Sequence, residues 1–119
     1  MKVRFLIDEN LAPYIKTALL RYDTDIDVAR VGDEGILPLG SLDPDILRYV
    51  ESTQRFLVTD NRRSIPIHLE AHWATGGHIW GVGWVRPQIG VRHLAEELYL
   101  IWSASEAEEW LDRVEWLPL

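Results

Sequence analysis

Three aspartates carry most of the chemistry open to this chain. Asp8 ends the hydrophobic run Val-Arg-Phe-Leu-Ile at 3–7, and Asp60 ends the run Arg-Phe-Leu-Val-Thr at 55–59. Asp43 stands just before Pro44, where a helical pattern begins, and Asp45 follows two residues on. Carboxylates that converge in a cleft without lysines between them repel one another strongly once water is thin. A divalent cation relieves that repulsion. Oxygen-only ligands suit Mg²⁺ and Mn²⁺, which keep several waters and lean on a phosphate-bearing substrate. Such ions activate water and stabilise the leaving oxygen in phosphodiester hydrolysis. The competing reading is capping, since Asp and Asn before a helix accept from its first amides. For Asp43 and Asp45 the helix dipole alone is a sufficient reason. Each acid taken singly fits capping; two strand-end acids together with a helix-start acid point to a cation.

The elements that must position these acids follow from periodicity. Leu11, Tyr14, Ile15, Ala18, Leu19 and Tyr22 recur at three- and four-residue steps, which predicts a helix with Pro13 in its first turn and Asn10 as its cap. A second strand is predicted over 25–31, followed by a Gly/Pro-rich loop over 32–41. Asp43 as N-cap and Pro44 as first helical residue open a second helix, with Ile46, Leu47, Tyr49 and Val50 on its buried side. The third strand covers 55–60, and the third helix covers 64–74 with Ser64 as its cap. A fourth strand is predicted over 78–85, and helices over 91–103 and 106–114. Ser105-x-x-Glu108 is the capping box of the last helix, and Glu-Trp-Leu-Pro-Leu closes the chain as a short edge strand. This alternation specifies one three-layer α/β/α domain over 1–119, with a mainly parallel sheet and right-handed crossovers. Ligands in such sheets bind at the carboxyl ends of the strands, near the point where strand order reverses. Asp8 and Asp60 stand at such ends.

Composition narrows the class. With 119 residues the chain is long enough for one core. The net charge of −7 argues against a dedicated nucleic-acid-binding module but is nearly neutral about a nuclease, whose cations bridge carboxylates to phosphates. The absence of cysteine removes disulfides, thiolate catalysis and cysteine-ligated zinc. No stretch reads as a signal peptide or a membrane span, so the expected location is cytoplasmic, with no membrane partner.

Other side chains ask for a role. Arg62 and Arg63 follow the third strand and Arg86 follows the fourth, where they can grip phosphates or simply be solvated. His68 and His72 share a helix face but lack the His-Glu-x-x-His order of a zinc protease, so they read as helix surface or packing rather than a metal site. Trp80 and Trp84 share a strand face and read as core. Leu98 to Trp102 leave a helix no polar face, which predicts either a homodimer surface or burial between the sheet and the last helix.

Taken in order, "MKVRFLIDENLAPYI", "SLDPDILRYV" and "RFLVTDNRRSIPIHLEAH" resemble the PIN-like domain family, over residues 1–85. The likeness is to its small bacterial branch, which opens on a strand followed by Asp-Glu-Asn-Leu. The resemblance implies a PIN-like fold and a Mg²⁺- or Mn²⁺-dependent ribonuclease. It also implies kinship with VapC-type toxins, which a cognate antitoxin holds inactive. By position it assigns the metal to Asp8, Asp43 and Asp60, with Glu9, Asp45 and Asn61 as outer or alternative ligands. Water on the metal is then the nucleophile, and the RNA phosphates fall to Arg62, Arg63 or Arg86. The pattern departs at one place. Members of the branch often read Thr-x-Asp, then a basic residue, Asp and Phe; here Thr59 is followed directly by Asp60, Asn61, Arg62, Arg63 and Ser64. The acid is one residue early, or Asn61 takes its place with an oxygen and no charge. A catalytically weakened or inactive PIN-like module that binds protein or nucleic acid is therefore the second reading. A receiver domain also gathers acids at strand ends but needs a later lysine, and Lys2 and Lys16 are the only lysines.

Overall fold

In a computed structural model describing residues 1–119, the first hydrophobic run forms β1 (Arg4–Ile7). Its side chains alternate between two apolar layers, Phe5 and Ile7 in one and Leu6 in the other. The chain continues through α1 (Tyr14–Tyr22), β2 (Val28–Arg30), α2 (Asp43–Thr53), β3 (Arg55–Thr59) and α3 (Ile65–Ala74). It ends with β4 (Val82–Val85), α4 (Val91–Ala104), a single 3₁₀ turn (Ala107–Trp110) and β5 (Val114–Leu117). The five strands form one all-parallel sheet in the order β2-β1-β3-β4-β5. Strand order reverses between β1 and β3, and that crevice is where such sheets bind ligands.

Both faces of the sheet are covered. Ile15 and Leu19 of α1 join Leu94, Leu98 and Ile101 of α4 over Phe5, Ile7, Phe56 and Val58. On the other face Ile46, Leu47 and Val50 of α2 join Ile65 and Leu69 of α3 over Leu6 and Leu57. The fold is thus the three-layer α/β/α arrangement expected from the alternation of elements.

One expectation fails. The steps β1→β2 and β4→β5 run in opposite directions across the sheet, yet α1 and α4 lie on the same face. These two crossovers must therefore have opposite hands, and β4-α4-β5 departs from the right-handed rule that the other three share. The reason is coverage. With the usual hand, α4 would join α2 and α3, leaving α1 alone over a face that includes Phe56, Val85 and Leu117.

Several boundaries also shift. Asn10 does not cap α1: it is exposed in a turn closed by the Leu11 amide on the Asp8 carbonyl (3.2 Å), and Pro13 occupies the cap position. Asp43 is not the N-cap of α2 but its first residue, because Leu42 is extended and its carbonyl accepts from the Ile46 amide (3.0 Å). The second strand is confined to 28–30 and the fourth to 82–85. The last helix, expected over 106–114, is one 3₁₀ turn. Its capping box lies one residue later than expected, with the Glu106 amide donating to Glu109 Oε2 (2.6 Å) while Ser105 accepts from the Trp110 indole (2.8 Å). The run Leu98–Trp102 is accounted for largely within the chain. Leu98 and Ile101 enter the core, Tyr99 stacks on Tyr22 with centroids 4.8 Å apart, and Trp102 lies under Lys2, leaving Leu100 exposed.

Packing is close where the chain enters β4 beside the aromatic core. Phe56 meets Phe5 and Trp110 edge-on, at 5.8 and 5.3 Å between centroids. Gly81 has φ +105°, and a Cβ there would stand 2.4 Å from the Phe56 ring. Gly81→Ala is therefore expected to cost roughly 2–5 kcal/mol by urea unfolding, the sum of a left-handed backbone and an overpacked core. Gly35, at φ +77° with no atom within 4 Å of an added Cβ, is the control. Its Ala variant should cost only about 1 kcal/mol.

Candidate functional site

The site follows from the register of β1 on β3. Ile7 is level with Val58, so the next residues, Asp8 just past β1 and Thr59 at the end of β3, stand side by side at the carboxyl edge. Both are buried, at 5% and 0% exposure, in a sheet that elsewhere buries almost only apolar side chains. Their partnership explains how. Thr59 Oγ1 donates to Asp8 Oδ2 (2.7 Å), and the Glu9 amide donates to Asp8 Oδ1 (2.7 Å). The Thr59 hydroxyl in turn accepts from the Asn61 amide (3.0 Å), which fixes the start of the β3–α3 turn.

No cation faces this carboxylate. Burial pushes the Asp8 carboxyl above the usual carboxylate range. The bonds from Thr59 and the Glu9 amide pull it back, and the negative charges of Asp60 and Glu9 push it up again. Asp60 is exposed at the end of β3, close enough for its charge to be felt at Asp8.

The remaining acids are turned to other partners. Asp43 Oδ2 lies 4.0 Å from His68 Nε2, which ties the start of α2 to α3. Asp45 pairs with Arg48 on the same helix. Glu9 Oε1 accepts from the Gly40 amide (2.9 Å), anchoring the long β2–α2 loop. Asn61 donates through Nδ2 to Ser64 Oγ (2.8 Å) and accepts at Oδ1 from the Ser64 amide (3.4 Å). Of the two alternatives at the end of β3, Asp60 is thus the one whose side chain is not tied into the turn. No three His, Asp or Glu side chains form a group that could hold a metal ion. What the edge offers a cation is two carboxylates, Asp8 and Asp60, and a hydrated Mg²⁺ uses one or two plus substrate phosphate.

The arginines divide. Arg62 and Arg86 lie over the Trp116 ring, 4.6 and 5.1 Å from its centroid, while Arg63 is exposed. Trp116 lies on β5 opposite Trp84, beside the ends of β3 and β4. His72 Nε2 is 2.8 Å from Glu51, and His78 is 2.7 Å from Asp112. Sequence reasoning missed Thr59, Trp116 and the His78–Asp112 pair. Only Thr59 left a signal, as a hydroxyl closing a run of buried apolar residues. No protein-family model, curated protein or solved structure matches this chain.

The state of Asp8 has a measurable consequence. A carboxyl whose pKa is raised on folding contributes stability that is complete below its unfolded pKa and lost as pH rises through its folded pKa. Ionising the buried Asp8 as pH rises therefore costs stability. Asp8→Asn should raise the melting temperature at pH 7, and the gain should shrink to nothing as pH falls below the ordinary carboxylate range. Thermal unfolding of both proteins across pH 3–8 checks this.

Proposed function

We propose that this chain is a divalent-metal-dependent endoribonuclease of the PIN-like type, acting at the edge where β1 and β3 end. The observation that carries the reading is the buried Asp8 carboxylate, held by Thr59 and without a cationic partner, beside the free carboxylate of Asp60. Mg²⁺ or Mn²⁺, when bound, supplies an activated water and a Lewis acid for phosphodiester cleavage. Asp8 is fixed by two donated hydrogen bonds, so its outward lone pairs are oriented before any ligand arrives. Asp60 is exposed and can adjust. By the resemblance Asp43 of α2 is the third ligand, although it faces His68 here, with Glu9, Asp45 and Asn61 as outer or alternative ligands, and Arg62, Arg86 and Arg63 receive phosphates. By resemblance, the physiological setting is that of a cytoplasmic toxin with a cognate antitoxin, and self-association belongs to the same proposal.

A second reading has specific support: no three acids form a metal-holding group, and Asn61 is engaged by Ser64. On that reading the chain is a PIN-like module that binds RNA or protein without cleaving it.

Cleavage of a mixed single-stranded RNA in Mn²⁺, read against EDTA, separates the two. The nuclease reading expects EDTA-sensitive cleavage, and loss of at least about 100-fold on Asp8→Asn or Asp60→Asn. Thr59→Val should weaken Mn²⁺ binding by about 10–100-fold in calorimetry, because it removes only the orienting bond. RNA binding without cleavage, unaffected by Asp8→Asn, would leave the module reading in its place.

A further inference from the structure

At the ends of β3 and β4, against Asp60, lies an open cavity of about 280 Å³. Leu11, Val85, Pro87 and Ile89 form its apolar walls, and Asp60, Arg62, Arg86 and Gln88 supply its polar groups. This lies near the lower limit for small-ligand sites, about 300 Å³, which suits one base or nucleotide and little more.

Its far side is built by a turn with an unusual residue. The Ile89 amide donates to the Arg86 carbonyl (3.4 Å), Pro87 takes the second position and Gln88 the third, at φ +68°. A turn with proline second and a left-handed third residue ordinarily has Gly or Asn there. Glycine would occupy the position without steric penalty. The long carboxamide is thus placed at the cavity against the preference of its own backbone, and strain of this kind gathers at binding sites.

The arginines are equally distinctive. Arg4, Arg48, Arg55 and Arg113 each pair with a carboxylate, Arg113 lying over Trp110 as well, whereas Arg62 and Arg86 lie against Trp116 with no carboxylate partner. A guanidinium lying on an indole is held by its face; Arg86 Nε also donates to the Pro118 carbonyl (3.5 Å), and the remaining N–H groups of the two arginines suit a planar or tetrahedral oxyanion.

We propose that this cavity is a subsite for one nucleotide of single-stranded RNA. Arg62 and Arg86 take the phosphate, the base lies against Leu11, Val85 and Ile89, and the Gln88 carboxamide reads the base edge. A carboxamide offers both a donor and an acceptor, as an unpaired Watson–Crick edge requires, and only a single strand presents that edge. The inference rests on the ribonuclease reading for its choice of RNA, and adds the residue that sets base preference.

The test titrates the ¹⁵N-labelled protein with each of the four ribonucleoside 5′-monophosphates in Mg²⁺. Saturable shifts in the amides of Arg86, Gln88, Ile89 and Gly90, with unequal affinities among the four bases, are expected. Gln88→Gly should melt no lower than the parent protein, while the affinities for the four bases converge to within about twofold. Arg62→Ala with Arg86→Ala should lower all four affinities by at least about tenfold. Absence of saturable shifts in this turn, or a base preference that survives Gln88→Gly, overturns the proposal. The two readings fail separately. Specific nucleotide binding with RNA left intact sinks the nuclease and keeps the subsite, whereas cleavage indifferent to Gln88→Gly does the reverse.

Discussion

A parallel sheet must be covered on both faces, and this chain has four helices with which to do it. That constraint orders the rest of the molecule. It puts α1 and α4 on one side and α2 and α3 on the other, and it requires the β4-α4-β5 crossover to take the opposite hand. It also leaves no room for polar side chains within the central strand β3. All five residues of β3 are buried, and its two polar members, Arg55 and Thr59, stand at its two ends. Chemistry is thereby confined to the edges of the sheet, and the two edges treat their charges differently.

At the amino edge, Arg55 donates to the Phe5 carbonyl (2.9 Å) and to Asp27 Oδ1 (2.8 Å), while Arg4 holds Asp27 Oδ2 (2.9 Å). Burial alone would raise the Asp27 carboxyl, but Arg55 and then Arg4 outweigh it and hold the group below its ordinary range. Its ionised form stabilises the fold above the unfolded pKa, and that stability goes as pH falls through the depressed one. At the carboxyl edge Asp8 has a hydroxyl and an amide but no guanidinium, and its carboxyl is held up. The same residue type, at opposite ends of one sheet, is neutralised in one place and left wanting positive charge in the other. Structural economy accounts for Asp27. It does not account for Asp8, a buried carboxyl whose partners are a hydroxyl and an amide and which has no cation beside it.

The layer plan was legible because it depends on local signals. Leu11, Ile15 and Leu19 mark one helix face and Phe5, Leu6 and Ile7 a strand buried on both sides, and neither needs tertiary knowledge to interpret. Boundaries were less legible because a neighbouring residue could displace the nominal cap. Leu42 supplies the carbonyl that Asp43 was expected to supply, and Glu106 with Glu109 replaces Ser105 with Glu108. The hand of the last crossover depends on which face remains uncovered, a property of the assembled sheet and of no segment in it. At the site, Asp8 and Asp60 were readable as strand ends. Thr59 acquires its role from the register of β1 on β3, and Trp116 acquires its role from lying beside two turns more than twenty residues away in sequence. Sequence spacing carries neither relation.

Net charge is a weak guide here, because the acids are not evenly free. Asp27, Asp33, Asp45 and Glu115 are matched by Arg4 with Arg55, by Lys16, by Arg48 and by Arg113. Asp112 accepts from the Trp73 indole (2.9 Å) and the Ile79 amide (2.9 Å), and it faces His78. The carboxyl edge keeps charges of both signs without such matching: Asp8 at the end of β1, and Asp60 with Arg62 and Arg86 around one cavity. A bare anion arriving there meets the two carboxylates, and a bare cation meets the two guanidiniums. Each is half repelled at close range, where water screens poorly. A phosphate that arrives with a divalent ion meets a complementary charge at both ends. The mixed sign of this edge is therefore matched by a cation–phosphate pair, and the chain's net negative charge does not count against the metal-dependent activity proposed above.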